Sequence, residues 1–353
     1  MQVVRTILFP VSFIYGMVTL LRNKLYDWNI LKSRKFDLPV ISIGNLNVGG
    51  TGKTPLTEYL VHLLRIDYKT AVLSRGYKRK TKGYLVATSG HTCEEIGDEA
   101  KQVKTKFPDI QFAVDENRVR GVEKLLSGDE VPEVIILDDA FQHRSLKPGL
   151  SILLTDYAHI YTSDHLLPTG DLREYSSGAK RADIIIVSKC PPDLSPSAKC
   201  FVTGQLQPLP HQTLLFSDII YSVPVPFNDV LIDISDQTNS IFLVCGIANT
   251  KPLEQYLKQY SEHLTIRTFP DHHGYSLDDW LEIKNSFESV FSKNKWICTT
   301  EKDIVKLYKP EIRDLIKDLP VYYIPIKTEF QGDDKLLFNK LIYDYVGKNK
   351  KNS

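Results

Sequence analysis

Short apolar runs alternate with amphipathic stretches along about the first two hundred residues of the chain. The runs at 40–43, 70–74, 112–114, 134–137, 150–154 and 184–187 contain no charged residue, which is typical of strands buried on both faces of a parallel sheet. Stretches with apolar residues at helical spacing lie between them, as at Leu60, Leu63 and Leu64. This alternation predicts an α/β fold in which helices flank a parallel sheet.

The alternation breaks at residues 204–210, where prolines cluster, and resumes further on. Extended segments are predicted at 213–217 and 219–223, and strands at 241–245, 266–269, 296–299 and 321–324. We therefore predict a larger domain at residues 37–204 and a second, smaller α/β domain at 205–353. The second domain would include linker strands and would close over a cleft.

Residues 1–36 form a third region with a different pattern. The stretch 7–21 carries no charge and is rich in large apolar residues, and it is followed by five basic residues, Arg22, Lys24, Lys32, Arg34 and Lys35. It is shorter than the roughly 20 residues that a membrane-spanning helix needs. We favour a membrane-associating helix that lies in a surface containing anionic lipids. The alternative is a helix packed against the protein's own core.

Overall composition narrows the classes of function. The chain has 42% hydrophobic and 25% charged residues, as globular proteins do. A net charge of +1 argues against the broad basic face of a nucleic-acid-binding protein, so we expect no nucleic-acid partner. The five cysteines are dispersed without a Cys-x-x-Cys pair. This pattern indicates free thiols in a reducing cytosol and no zinc site.

The segment 40–57 has the features of a phosphate-binding loop (P-loop). Clustered glycines follow an apolar strand and precede Lys53, Thr54 and Pro55 at a predicted helix start. Backbone N–H groups of such a loop bind a polyphosphate, which Lys53 would also reach, while the Thr54 hydroxyl would bind Mg²⁺. Asn47 stands where the general motif has its first glycine. The predicted nucleotide-binding residues are Asn47, Val48, Gly49, Gly50, Thr51, Gly52, Lys53 and Thr54.

Two carboxylates directly follow the apolar run 134–137. Asp138 and Asp139 would lie at the carboxyl end of a buried strand, where they could hold Mg²⁺ or its waters opposite Thr54. Together with Lys53, they favour a P-loop nucleotide enzyme or switch. The run 184–187 ends without the Asn-Lys-x-Asp motif that recognises guanine. We therefore expect ATP rather than GTP.

Other polar residues lie near the same predicted sheet edge. Arg173 is in a loop that could close over a transferred phosphate, or it could form only a surface ion pair with Glu174. Asp98 and Glu99 lie at a helix start, where capping alone would explain them. The Asp-His-His sequence at 271–273 lacks a third distant metal ligand, which favours an orienting or proton-relaying histidine over zinc.

Taken together, these motifs resemble the tetraacyldisaccharide 4'-kinase family of lipid A biosynthesis, membrane-associated P-loop kinases of Gram-negative bacteria. The resemblance covers nearly the whole chain, and asparagine at the position of Asn47 is normal for that family. The matching motifs are the apolar and basic N-terminal helix, the loop at 44–55, Ser-Arg-Gly-Tyr at 74–77, Gly-Asp-Glu at 97–99, Leu-Asp-Asp-Ala-Phe-Gln-His-Arg at 137–144, Leu-Arg-Glu at 172–174, Asp-His-His at 271–273 and Thr-Glu-Lys-Asp at 300–303.

The resemblance implies a fold and a reaction. The fold would be two α/β/α domains with the active site in the cleft between them, joined by a two-stranded linker. The reaction would transfer the γ-phosphoryl group of ATP to the 4'-hydroxyl of a tetraacylated glucosamine disaccharide 1-phosphate. The product would be lipid IVA, formed at the cytoplasmic face of the inner membrane.

The resemblance also implies roles for individual residues. Asp98 would be the catalytic base, paired with His272. Lys53 and Arg173 would act on the phosphates. The residues expected around Mg²⁺ are Thr54, Glu99, Asp138, Asp139 and Gln142, with Gln142 also beside the phosphate being transferred.

Two rival functions are weighed against this one. A soluble P-loop kinase of a small polar metabolite would have no use for the apolar stretch 7–21. A nucleotide-gated switch or metal-delivery GTPase should show a guanine-reading motif and metal-binding Cys or His pairs, which the sequence lacks. The expected partners are therefore the acylated disaccharide and an anionic lipid surface, and we expect a monomer.

Overall fold

The computed structural model describes residues 8–236, 238–261, 263–292 and 294–350. The start of the predicted N-terminal region, residues 1–7, lies outside these ranges. Within them the helices are α1 (Phe9–Asp27), α2 (Lys53–Leu64), α3 (Cys93–Ile96), α4 (Asp98–Lys106), α5 (Arg118–Leu126), α6 (Pro196–Leu206), α7 (Lys251–Leu257), α8 (Leu277–Ser289), α9 (Glu301–Ile304), α10 (Pro310–Ile316) and α11 (Asp334–Lys350).

A large sheet forms the centre of the fold. Its strands within the described ranges are β1 (Val40–Asn45), β2 (Thr70–Ser74), β3 (Leu85–Val86), β4 (Gln111–Val114), β5 (Val134–Leu137), β6 (Leu150–Asp156), β7 (Ile184–Ser188), β8 (Thr213–Tyr221) and β14 (Ile326–Phe330). They lie in the order β14-β8-β7-β6-β1-β5-β2-β4-β3. All neighbours pair in parallel except β3 with β4 and β14 with β8. The predicted α/β fold with a parallel-rich sheet is confirmed.

The central strands of this sheet are buried on both faces. Every residue of β1, β2, β5 and β7 is buried, which explains why these strands appear in the sequence as continuous apolar runs. One face packs against α2, where Leu56, Leu60 and Leu64 are fully buried. The same core therefore fixes the direction of the helix that follows β1.

A second, smaller sheet lies later in the chain. Its strands within the described ranges are β9 (Val225–Pro226), β10 (Ser240–Cys245), β11 (His263–Thr268), β12 (Lys295–Thr300) and β13 (Val321–Ile324). Their order is β11-β10-β12-β13-β9, with only β9 antiparallel to its neighbour. We call this sheet and its helices the small-sheet domain, and the larger sheet and its helices the large-sheet domain.

The chain crosses between the two sheets twice. The extended segments predicted at 213–217 and 219–223 form one continuous strand, β8, which pairs with β7 of the large sheet. After β13 the chain returns as β14, which pairs with β8, and α11 then buries Phe338, Ile342 and Val346 in the core beneath α2. Sheet pairing thus places residues on both sides of the predicted 204/205 division in one sheet. The apolar pattern could not show this, because it predicts that a segment is extended but not which strand the segment pairs with.

Helix α1 turns small and polar residues toward the protein and large apolar residues outward. Ser12 and Gly16 are buried, and a Cβ atom on Gly16 would lie 2.5 Å from the Tyr175 hydroxyl, so only glycine permits this approach. The Tyr15 hydroxyl donates a hydrogen bond to the carbonyl of Arg173 at 2.6 Å. The exposed apolar side chains are Phe9, Val11, Phe13, Ile14, Met17, Val18, Leu20 and Leu21.

This orientation is the reverse of what a helix packed on the protein's core would show, since such a helix buries its apolar face. Among the described residues, no helix has the length and hydropathy needed to cross a bilayer.

Candidate active site

The predicted phosphate-binding loop lies between β1 and α2, at the carboxyl edge of the large sheet. Gly49 and Gly52 have φ angles of +108° and +84°, conformations that side chains other than glycine rarely adopt. A Cβ atom added to Gly49 or Gly50 would meet no atom within 4 Å, so the loop has open space beside its backbone. Helix α2 starts at Lys53. The structure therefore confirms the predicted order of strand, glycine-rich loop and helix.

Asn47 anchors this loop to the segment that carries Arg173. Its side-chain amide donates to the Asp164 carboxylate at 2.7 Å, and its backbone pairs with Leu172. The amide of Val48 donates to the carbonyl of Asp171 at 2.7 Å. A glycine at position 47 could not make the side-chain contact. The departure from the general P-loop motif thus has a structural reason.

Asp139 lies where two cations converge. Its carboxylate accepts hydrogen bonds at 3.0 Å from Arg173, and the Lys53 ammonium is 3.6 Å away. Asp139 is the second residue after β5 and has a φ angle of +46°. Burial acts to raise the pKa of its carboxyl, but the charges of Lys53 and Arg173 outweigh burial and lower the pKa. The carboxylate is therefore ionised at neutral pH and holds both cations beside the loop.

Asp138 has a different environment, although it is the neighbouring residue. Its carboxylate is buried and accepts a hydrogen bond from the Thr57 hydroxyl at 3.3 Å. Burial and the charge of Asp139 raise its pKa to about 6. The buried Arg118 guanidinium donates to the Asp138 carbonyl at 3.1 Å, which fixes the backbone at this strand end.

The ion pair of Arg173 is with Asp139, not with the adjacent Glu174. Glu174 is buried and instead pairs with Arg181 at 2.8 Å. The Gln142 side chain donates to the carbonyl of Asn45 at 2.8 Å and to Glu174 at 3.1 Å. Arg173 therefore lies beside Asp139 near the glycine-rich loop, while Gln142 is held beside the end of β1.

Asp98 and His272 are brought together from the two domains. The Asp98 carboxylate is 3.2 Å from His272 Nδ1, although the residues are 174 positions apart. Asp98 is the first residue of α4, and His272 follows β11 with a φ angle of +61°. Glu99 lies nearby, with its carboxylate 3.9 Å from His272 Nε2. Asp98 and Glu99 are the first two residues of α4, and both carboxylates lie within 4 Å of the His272 ring nitrogens.

Two lysines that the sequence reasoning did not assign complete this site. The buried Lys306 ammonium is 3.5 Å from Asp98 and 3.0 Å from Asp303, and Lys302 lies 3.3 Å from His272 Nε2. Burial acts to raise the pKa of the Asp98 carboxyl, but its hydrogen bond with His272 and the Lys306 charge lower it overall. Lys306 had no motif to mark it, because its partner Asp98 belongs to the other domain.

The glycine-rich loop and the nearby carboxylates have groups that suit a nucleotide and Mg²⁺. The Thr51 hydroxyl, inside the loop, is buried and has no hydrogen-bond partner among the described residues, so it can serve a bound phosphate. Across the described ranges, no three His, Cys, Asp or Glu side chains form a metal site by themselves. Mg²⁺ in nucleotide enzymes takes only one or two carboxylates, the remaining ligands being phosphate oxygens and waters. The oxygen atoms of Asp138, Asp139 and Thr54 therefore suit Mg²⁺ bound together with a nucleotide better than a metal ion bound by protein side chains alone.

Comparison with known proteins gives a consistent result. The family model described as tetraacyldisaccharide-1-P 4'-kinase matches residues 4–344. A tetraacyldisaccharide 4'-kinase of Phocaeicola vulgatus is 47% identical over 98% of this chain and 96% of its own length. A tetraacyldisaccharide 4'-kinase of Bacteroides thetaiotaomicron is 48% identical over 98% of this chain and 94% of its own length.

Among solved structures, the "apo" form of LpxK from Aquifex aeolicus, in complex with ATP, is similar over most of the chain. Its TM-score is 0.74 at 30% identity, and the match covers 97% of this chain and 99% of that one. The family match, the relatives and this structure cover both domains. The chain belongs to the tetraacyldisaccharide 4'-kinase family.

Proposed function

We propose that this protein transfers the γ-phosphoryl group of ATP to the 4'-hydroxyl of a tetraacylated glucosamine disaccharide 1-phosphate, forming lipid IVA in lipid A biosynthesis. The observation that carries the proposal is a pair of charged clusters close enough to interact, because the charge of Glu99, beside Asp98, acts on the pKa of Asp138, beside Asp139. Lys53, Asp139 and Arg173 meet at the glycine-rich loop, and Asp98 meets His272 at the facing domain. Family membership supplies the identity of the acceptor.

The loop cluster would bind and neutralise the phosphates. Phosphoryl transfer depends mainly on positioning and on stabilising charge as it spreads over the transferred group. Asp139 holds the cations of Lys53 and Arg173 within 4 Å of its carboxylate. Both cations are thus oriented before substrate arrives, so little reorganisation is needed during the reaction.

Asp98 would accept the proton of the attacking hydroxyl. Its carboxylate is ionised because His272 and Lys306 lower its pKa against the effect of burial. Its hydrogen bond to His272 fixes the direction of its oxygens.

Mg²⁺ would be held at the same edge of the sheet. Thr54, Asp138 and Asp139 would bind the ion or its waters, with Glu99 and Gln142 close by. When bound, the ion would neutralise charge on the β- and γ-phosphate oxygens. Burial and the charge of Asp139 raise the pKa of Asp138 to about 6, and a cation bound beside this carboxyl would lower it.

The direct test is an assay of the purified protein with ATP, Mg²⁺ and the tetraacylated disaccharide 1-phosphate. We expect a lipid product heavier by one phosphate, detected by mass spectrometry, and no product when ATP is omitted. A disaccharide already phosphorylated at the 4' position is the matched control and should not react. Phosphorylation of free sugars at a comparable rate, without reaction of the lipid, would instead support a soluble metabolite kinase.

We further propose that α1 attaches the protein to the cytoplasmic face of the inner membrane. The support is its outward apolar face together with nearby basic residues, which supply hydrophobic and electrostatic attraction to an anionic surface. The same helix contacts the Arg173 segment through Tyr15. Attachment by α1 would therefore keep the cleft next to the lipid that carries the acceptor.

This attachment predicts an effect of charge on the exposed face of α1. Ile14 and Val18 are 63% and 62% exposed and lie one helical turn apart, so replacing both with glutamate should not disturb the fold. We expect binding to vesicles with anionic lipid to fall about tenfold or more, because each apolar side chain contributes about 1.5–3 kcal/mol when fully buried. Co-sedimentation with vesicles that contain anionic lipid measures the bound fraction of each variant.

The matched control is Ile66→Glu, at a 79% exposed apolar residue outside α1. It should bind vesicles like the wild type. Equal loss in both variants, or none in either, would contradict attachment by α1.

A further inference from the structure

A charge cluster with two buried carboxylates joins the two domains away from the reacting groups. The Lys106 ammonium donates to the Glu58 carboxylate at 2.6 Å and lies 2.9 Å from the Glu301 carboxylate. Glu58 belongs to α2, Lys106 ends α4 and Glu301 begins α9. The Lys106 side chain therefore links α2, which follows the glycine-rich loop, and α4, which carries Asp98, to α9 of the small-sheet domain.

Both carboxylates are buried and oriented by further hydrogen bonds. Glu58 is 4% exposed and also accepts from the Gln102 side-chain amide at 2.8 Å. Glu301 is 7% exposed and accepts from the amide of Ile326 at 3.2 Å. Ile326 begins β14, the strand through which the chain returns to the large sheet. The cluster is thus built into the crossing between the domains.

The cluster depends on its single cation. Burial and the charge of Glu301 raise the pKa of Glu58 to about 7, while Lys106 acts in the opposite direction. Without the ammonium, two buried carboxyl groups from different domains would face each other unpaired. The contact between α2, α4 and α9 would then be repulsive or would need a proton.

The position of α4 connects the cluster to the reaction. Asp98 is its first residue and Lys106 its last, a separation of about 12 Å along the helix axis. At the Asp98 end the helix contacts His272 and Lys306 of the small-sheet domain. At the Lys106 end it contacts Glu301 of the same domain and also Glu58 of α2, the helix that begins with Lys53. The two ends of α4 together set the distance between the proposed base and the phosphate loop.

We propose that Lys106 is a positioning residue. Together with Glu58 and Glu301, it holds Asp98 at a fixed position relative to Lys53 and the glycine-rich loop, across the junction of the two domains. The inference rests on the proposed function, because the position of Asp98 affects turnover only if Asp98 is the base of that reaction. The competing explanation is an ion-pair cluster that contributes to folding alone. The two explanations differ in whether the effect of losing Lys106 depends on Asp98.

The test measures Lys106→Met in the wild-type and Asp98→Asn backgrounds, in the lipid phosphorylation assay. In the wild type we expect kcat to fall about ten- to a hundredfold, the scale set by small misplacements of reacting groups. ATP affinity, measured by equilibrium binding, should change less than about threefold. In the Asp98→Asn background the same substitution should cost less than about threefold in kcat, because the group it positions is already gone. The same fold-loss in both backgrounds would overturn the proposal.

The matched control is Lys104→Met, on the same helix. Lys104 donates to the carbonyls of Pro108 and Ile110 and makes no contact with the cluster. It should leave kcat within about twofold of the wild type. Glu301→Gln is a second variant in case Lys106→Met folds poorly. It removes one of the two carboxylate charges that hold Lys106, so it should lower kcat in the wild type and cause little further loss in the Asp98→Asn background.

A measurement independent of activity separates this proposal from the proposed function. Hydrogen exchange of backbone amides should become faster in both α4 and α9 in Lys106→Met, and not in Lys104→Met, if the cluster joins these helices. Unchanged exchange in α4 and α9 would refute the positioning role even in an active kinase. A wild-type protein that fails to phosphorylate the lipid would refute the proposed function, and the exchange result would still decide whether Lys106 couples the helices.

Discussion

Replacing Asp98 with asparagine is expected to lower turnover by about two to four powers of ten, the usual contribution of general-base catalysis. The acceptor hydroxyl must lose its proton as it attacks the γ-phosphorus, and an amide cannot take that proton. Asparagine has nearly the same shape as aspartate, so ATP affinity should stay nearly intact. Steady-state kinetics with the lipid acceptor, together with equilibrium binding of ATP, measures both quantities.

His272 provides the control for this prediction. It contacts Asp98 at 3.2 Å, and His272→Ala should cause a smaller loss of turnover because the carboxylate remains. Residues that act as one unit give non-additive losses, so the double variant should be scarcely worse than Asp98→Asn alone. Strictly additive losses, or a loss in Asp98→Asn that follows a lower thermal stability, would return Asp98 to the role of a helix cap.

Replacing Lys53 with alanine is expected to lower turnover by at least about a hundredfold, the scale on which removal of one charge-stabilising group acts. The Lys53 ammonium lies 3.6 Å from Asp139 at the start of α2. It is therefore held where the glycine-rich loop would bind phosphates. ATP affinity should fall as well, since the ammonium contacts the ground state and not only the transition state.

Lys124→Ala is the matched control, because Lys124 is exposed on α5 and belongs to neither site. It should leave both quantities unchanged. Near wild-type turnover in a folded Lys53→Ala protein would exclude the assignment of the loop as the phosphate site. Asp139→Ala should resemble Lys53→Ala, since it releases both Lys53 and Arg173.

The sequence was most informative where function depends on neighbouring residues. The segment from Val40 to Leu64 forms strand, loop and helix as predicted, because the apolar run, the glycines and Lys53 act within about 25 consecutive residues. From the residues alone, the motifs at 97–99 and 271–273 indicated a helix cap and an orienting or proton-relaying histidine, and only the family resemblance paired Asp98 with His272. Nothing local indicated that Asp98 and His272 meet.

Some predictions depended on partners that lie far away in the chain. The apolar pattern showed that β8 was extended, but it did not show that β8 and β14 would extend the large sheet. Strands on both sides of the predicted division at 204/205 therefore belong to one sheet. The apolar stretch of α1 likewise left two orientations open. Its contacts with the Arg173 segment, through Tyr15, decided which face points outward.

The sequence by itself therefore determined the α/β class, the order of strand, glycine-rich loop and helix at residues 40–64, and the family, because buried strands and glycine-rich loops leave a local pattern of residue types. The family resemblance had paired Asp98 with His272, but only the tertiary structure showed their 3.2 Å contact, the place of Lys306 beside Asp98, the anchoring of the loop by Asn47 and the junction at Lys106. These contacts join residues that are distant in the chain, and charge interactions depend on distance and burial rather than on order in the sequence.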